Sequence, residues 1–137
     1  MLLPEIKLTY ADILPLIDPN GNEGCGFLIG TENIIAEIWR VTSITPSPDM
    51  FAISRNDGED VLSSAKAQNK RVFGIIHTHP FENDLTGYIF GPSKKDLFIS
   101  KLSGYGMPNA LHAVYEVTNG TLYLYNALGI LTTHSLL

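Results

Sequence analysis

The sequence predicts an α/β domain built on a single mixed β-sheet flanked by helices. Three observations lead there. Two apolar runs, CGFLIG at 25–30 and RVFGIIHTH at 71–79, have strand character, and the second is apolar enough to be central in a sheet. Residues 59–70 place Val61, Leu62, Ala65 and Ala67 among polar neighbours, the spacing of a helix packed on one face. Asn119-Gly120 separates two further strand-like runs, the strongest short hairpin signal. The resulting order is α-β-β-α-β-α-β-β-β.

Taken in order, Thr9 to Asp12 has the capping-box form T-x-x-D. It opens a short helix through about Ile17, which Pro15 should kink or shorten. Asp18-Pro19-Asn20-Gly21-Asn22 is a dense turn signal. CGFLIG and NIIAEIWRV (33–41) follow as strands joined by a tight turn at Thr31-Glu32, and residues 45–49 are loop. Residues 51–54 suit a short extended piece before the 59–70 helix and the central strand. A loop over 80–92 leads to a helix over 93–103, ended by Gly104 and Gly106. ALHAVYEV (110–117) and TLYLYNAL (121–128) form the hairpin, and GILTTHSL (129–136) suits a last edge strand.

Composition narrows the function classes. A chain of 137 residues has room for one domain and one proper core, so 1–137 is expected to form a single domain. With 45% hydrophobic and 17% charged residues it is neither disordered nor collagen-like. The net charge of −5 and the lack of a basic run argue against nucleic acid as a partner. Cys25 is the single cysteine, which excludes an internal disulfide and a Cys-rich zinc site. The N-terminal MLLPEIKL does not have the form of a signal peptide, and no stretch approaches the ~20 apolar residues of a membrane helix. A cytoplasmic protein with no membrane partner is the expectation.

The chemistry concentrates at His77-Thr78-His79-Pro80, the C-terminal end of the central strand. Strand residues two apart share a face at a spacing of about 6.6 Å, so both imidazoles can converge on one metal. Pro80 ends the ladder because it has no N–H to donate. An ordinary pair of strand-end histidines is the alternative. A zinc hydrolase also needs a third protein ligand, a position for water and a general base. Ser93-Lys94-Lys95-Asp96 begins the second long helix as a capped turn after Pro92, and the same cap would hold Asp96 rigidly enough to ligate. Glu23, in Asn22-Glu23-Gly24-Cys25-Gly26, is either a solvated loop carboxylate or a base at a loop-to-strand junction.

Together, Glu23-x-Cys25-Gly26, His77-x-His79-Pro80 and Ser93-x-x-Asp96 resemble the JAMM motif of the MPN+/JAB family of zinc metallopeptidases. The resemblance covers nearly the whole chain, with three separated elements in the family's order. It implies an MPN/JAB-like sheet, in the cytidine-deaminase-like arrangement, and Zn2+ held by His77, His79 and Asp96 with water as fourth ligand. It further implies Glu23 as general base and acid, and Ser93 as donor to the oxyanion. The substrate class it implies is the C-terminal tail of a ubiquitin-like or sulfur-carrier protein, cut at an isopeptide or peptide bond. Alternatives within the same resemblance are a hydrolase of another amide, as in a RadC-like relative, and a non-catalytic MPN scaffold.

The stretch 81–92 is longer than the usual family spacer, and is either a surface loop or a flap over the substrate tail. Asp84 within it rivals Asp96 as third ligand but lacks a cap to hold it. His112, Trp39, Tyr115, Tyr123 and Tyr125 are expected in sheet packing, His134 exposed near a frayed end, Cys25 as a buried small residue, and Lys94 and Lys95 on a solvated helix face.

Overall fold

The computed structural model describes residues 3–48, 50–80, 111–126 and 128–136. The expected loop and helix over 81–103, with Glu82, Asp84, Ser93, Lys94, Lys95 and Asp96, lie outside the described residues.

The chain begins with strand β1 (Glu5–Ile6), helix α1 (Tyr10–Ile13) and a 3-10 turn at Leu14–Leu16. Thr9 donates its backbone N–H to the Asp12 carboxylate at 2.8 Å, tying down the first turn. Pro15 falls inside the 3-10 turn, so the helix is shortened as its missing N–H requires. Strands β2 (Cys25–Thr31) and β3 (Ile34–Val41) form an antiparallel pair. Their turn falls on Glu32-Asn33, one residue later than expected, because Thr31 still pairs with Ile34 and Glu32 adopts φ +53°.

Helix α2 (Arg55–Ala67) starts before the expected residue 59, because the Ser54 side chain accepts from the Asp57 N–H at 3.1 Å. Residues 51–54, expected to be extended, join no ladder among the described residues. Strand β4 (Arg71–His79) has the expected bounds. Strands β5 (Leu111–Glu116), β6 (Thr121–Asn126) and β7 (Gly129–Ser135) complete the C-terminal third. The β5–β6 connection is a four-residue turn over 117–120, with Gly120 at φ +68°, and not a two-residue Asn-Gly turn.

The described strands form one sheet in the order β1-β3-β2-β4-β5-β6-β7. The β1–β3 and β4–β5 pairs are parallel and the remainder antiparallel, so the sheet is mixed. β1 is a short edge strand the sequence did not signal; β7 is the expected opposite edge. His134 corrects an expectation: it pairs with Leu122 inside β7, and its Nε2 is shut off from solvent.

Alternation along β2 and β4 splits the core between the faces. Leu28 and Ile76 join Ile13, Leu16, Ala113, Tyr115, Leu122 and Leu124 on the face covered by α1 and the 3-10 turn. Phe27, Ile29 and Ile75 meet Val61 of α2 on the other. A register shift opposite Val72 to Gly74 keeps Phe73 with the first cluster despite the change of step. Gly74 lets β4 and β5 approach: a Cβ there would stand 1.5 Å from the Leu111 carbonyl oxygen.

Candidate metal centre

The second face changes character toward the C-terminal end of β4. Beyond Ile75 the same alternation presents His77 and His79, both buried among uncharged neighbours in the strand. Cys25 stands opposite His77 on antiparallel β2, and Glu116 stands opposite His79 on parallel β5. Directly opposed residues share a face, so these side chains meet on one side of the sheet.

Glu23 precedes β2 and is brought in by the backbone. Thr78 and Gly24 are bonded twice: the Thr78 N–H donates to the Gly24 carbonyl at 2.9 Å, and the Gly24 N–H donates to Thr78 Oγ1 at 2.9 Å. Glu23 itself donates its N–H to the Ser47 carbonyl at 2.8 Å. Only glycine fits at 24, since a Cβ would stand 1.8 Å from the Leu16 carbonyl oxygen. These restraints hold the Glu23 side chain inside the protein, with 7% of the residue exposed. The structure therefore does not support a solvated loop carboxylate.

Glu23, His77 and His79 each offer a ligand-type atom, and the three atoms lie within 4.8 Å of one another. The Nε2 atoms of His77 and His79 are 3.2 Å apart, and His79 Nε2 is 3.8 Å from Glu23 Oε2. At that separation the two nitrogens can share one N–H···N hydrogen bond or bind one cation between them. Two nitrogens bound to one tetrahedral zinc at ~2.0–2.1 Å stand about 3.3–3.4 Å apart. The imidazole pair thus fits a zinc ion with little rearrangement. Imidazole and carboxylate are also a donor set zinc accepts.

Each ring has a second support. Phe51 stacks on His77, with centroids 4.7 Å apart and planes 25° from parallel. Phe51 arrives on the connection between β3 and α2, where the Ile44 N–H donates to the Ala52 carbonyl and Ser43 Oγ accepts from the Thr45 and Ala52 N–H groups. His79 places Nδ1 2.6 Å from Glu116 Oε1. Glu116 is fully buried at the end of β5.

Sequence reasoning missed three of these participants. In the sequence Thr78 reads as the spacer between two histidines, and Glu116 as one residue of a strand. Their signal is a partner across the sheet, and parallel pairing of β4 with β5 is not visible in either segment alone. Phe51 carries no sequence signal beyond an aromatic side chain in a connection.

The remaining expectations divide plainly. Cys25 is buried and donates its S–H to the Val41 carbonyl at 3.6 Å; burial pushes its thiol up to about 11. A buried thiol held protonated is in keeping with a packing role. His112 is buried and stacks on Tyr125 at 5.4 Å, within the sheet. Ser93 and Asp96 lie outside the described residues.

Comparison with known proteins agrees with this architecture. Residues 18–118 match the family of prokaryotic homologues of the JAB domain. Over 81 residues the chain is 31% identical to a desampylase of Pyrococcus furiosus, a match covering 55% of this chain and 58% of that protein. The chain therefore spans little more than half the length of that curated relative. Among solved structures, a Desulfitobacterium hafniense protein determined in solution superposes with a TM-score of 0.68 at 15% identity, over 96% of this chain and 91% of the other. The crystal structure of a JAB1/MPN domain protein from Archaeoglobus fulgidus superposes with a TM-score of 0.56 at 15% identity, over 96% of both chains. With a family match over most of its length and the fold of a JAB1/MPN structure, the chain belongs to the prokaryotic homologues of the JAB domain.

Proposed function

We propose that the protein, as one domain over 1–137, is a zinc-dependent hydrolase. Its reaction would be cleavage of an isopeptide or peptide bond at the C-terminal tail of a ubiquitin-like or sulfur-carrier protein. The observation that carries this reading is the buried Glu23 beside two imidazole nitrogens 3.2 Å apart. The name of the Pyrococcus relative, desampylase, supports a small protein modifier as the substrate class.

In this reading His77, His79 and Asp96 hold the ion. When bound, zinc polarises a carbonyl and lowers the pKa of water from ~15.7 towards ~7. Glu23 takes the proton of the attacking water at a carboxylate oxygen and delivers it to the departing amine. Its burial keeps that proton from exchanging freely with solvent, and a positioned group of this kind contributes roughly 10²–10⁴-fold. Ser93 donates a hydrogen bond to the substrate carbonyl oxygen as charge develops there, worth on the order of 10²–10³-fold. Asp96 and Ser93 enter through the motif, Glu23 and the histidines through the motif and their position.

Two measurements test the reading. Metal analysis of the purified protein should find about one zinc per chain, lost in His77→Ala. Cleavage of a ubiquitin-like fusion should occur with the wild type and fall to background in Glu23→Gln, which retains zinc. A folded protein that takes up no zinc supports a non-catalytic scaffold. Equal rates for wild type and Glu23→Gln rule out the mechanism.

A further inference from the structure

We infer that Glu116 is a positioning residue for the centre: it fixes which nitrogen of His79 carries the proton, and so turns the Nε2 lone pair toward the ion. The inference rests on the metal-centre reading above and goes beyond its ligand set.

The geometry leaves little freedom. Glu116 closes β5 in direct register with His79, and Oε1 lies 2.6 Å from Nδ1, the distance of a charge-assisted hydrogen bond. A carboxylate oxygen accepts from an imidazole N–H at this distance, an arrangement that places the hydrogen on Nδ1. Neutral His79 then carries its lone pair on Nε2, the atom that faces His77 Nε2 at 3.2 Å and Glu23 at 3.8 Å. Without this partner the ring has two tautomers of similar energy, one of which turns an N–H at the ion. A carboxylate on the far nitrogen also pushes electron density toward the ligating one, which strengthens the metal bond.

Cost points the same way. Burying a carboxylate is unfavourable unless strong hydrogen bonds compensate, and an apolar residue at the end of β5 would fill the space without that penalty. Glu116 is not itself a ligand, because the imidazole stands between it and the site. Its contact with the centre runs through Nδ1 of His79.

The test reads the metal-free protein first. Long-range 1H–15N correlation of wild-type imidazoles, at a pH where His79 is neutral, should show a protonated Nδ1 and a bare Nε2. A ring protonated at Nε2 overturns the inference. Zinc affinity, measured by competition with a colorimetric chelator, should fall about 10–100-fold in Glu116→Ala. Glu116→Gln keeps an oxygen acceptor in the same place and should recover most of that loss. A folded Glu116→Ala that binds zinc within twofold of wild type also overturns it. Should that variant not fold, the wild-type spectrum and Glu116→Gln decide. Wild type that binds no zinc defeats the metal-centre reading while the tautomer still decides whether Glu116 sets the ring. Zinc binding that depends on Glu116, with no cleavage activity, defeats the hydrolase reading alone.

Discussion

The two faces of β4 are made by the same strand and serve opposite ends. On one, Ile76 sits with Leu28, Ala113 and Tyr115 in an apolar cluster under the N-terminal helical segment. On the other, Ile75 gives way to His77 and His79, joined by Cys25, Glu23 and Glu116. The first face gains free energy by removing carbon from water; the second spends it by burying acids and imidazoles. A sheet able to carry such a cluster must draw its stability from elsewhere, and here the source is one residue step away.

Substitutions on each face should therefore fail in different ways. The largest contrast is Glu23→Gln, which should lower turnover by roughly 10²–10⁴-fold. Because it replaces a buried carboxyl group with an amide of the same shape, it should leave the melting temperature of the metal-free protein little changed. Leu28→Ala on the opposite face should lose about 2–5 kcal/mol in a denaturant titration, while zinc uptake per folded chain, the measure of the proposed centre, stays that of the wild type. A Leu28 variant that stays folded but loses zinc would show that the faces are coupled.

Thr78→Val addresses the link between them, since it strips the Gly24 N–H of its acceptor with little change in volume. The expected loss is about 1–3 kcal/mol of stability, with slower turnover and unchanged zinc content, as Glu23 loosens while both histidines stay. The smallest effect concerns Cys25. Its thiol is raised to about 11, so the associated stability is full below the ordinary thiol pKa of ~8.5 and declines as pH rises toward the folded value. Native protein at pH 8 should resist a thiol-alkylating reagent that labels the urea-unfolded chain within minutes.

Much of this was legible in the chain because it is local. Strands β2 and β4 announce themselves as apolar runs and β5 and β6 through the Asn-Gly between them, and the two histidines share a face by virtue of being two residues apart. Glu23 reads on its own stretch equally as a solvated loop carboxylate; it stands out only through the three-element resemblance, and the fold buries it beside the two histidines. Two boundaries were missed for equally local reasons. Ser54 and Asp57 form a cap that starts α2 early, and Glu32 takes a positive φ that shifts the β2–β3 turn. What no single stretch could reveal is contact between strands remote in sequence. Glu116 and Thr78 matter through partners 37 and 54 residues away, and a two-residue strand such as β1 exists only because β3 is there to receive it.

That remoteness has a consequence for how the protein is made. During synthesis β4 emerges with both imidazoles well before β5 exists, and Glu23 can swing freely until β2 has docked. Closing such separations carries an entropic cost that only the assembled sheet returns. A nascent chain thus exposes both imidazoles before Glu116 has been made, and the contact between His79 and Glu116 forms only once β5 has docked on β4.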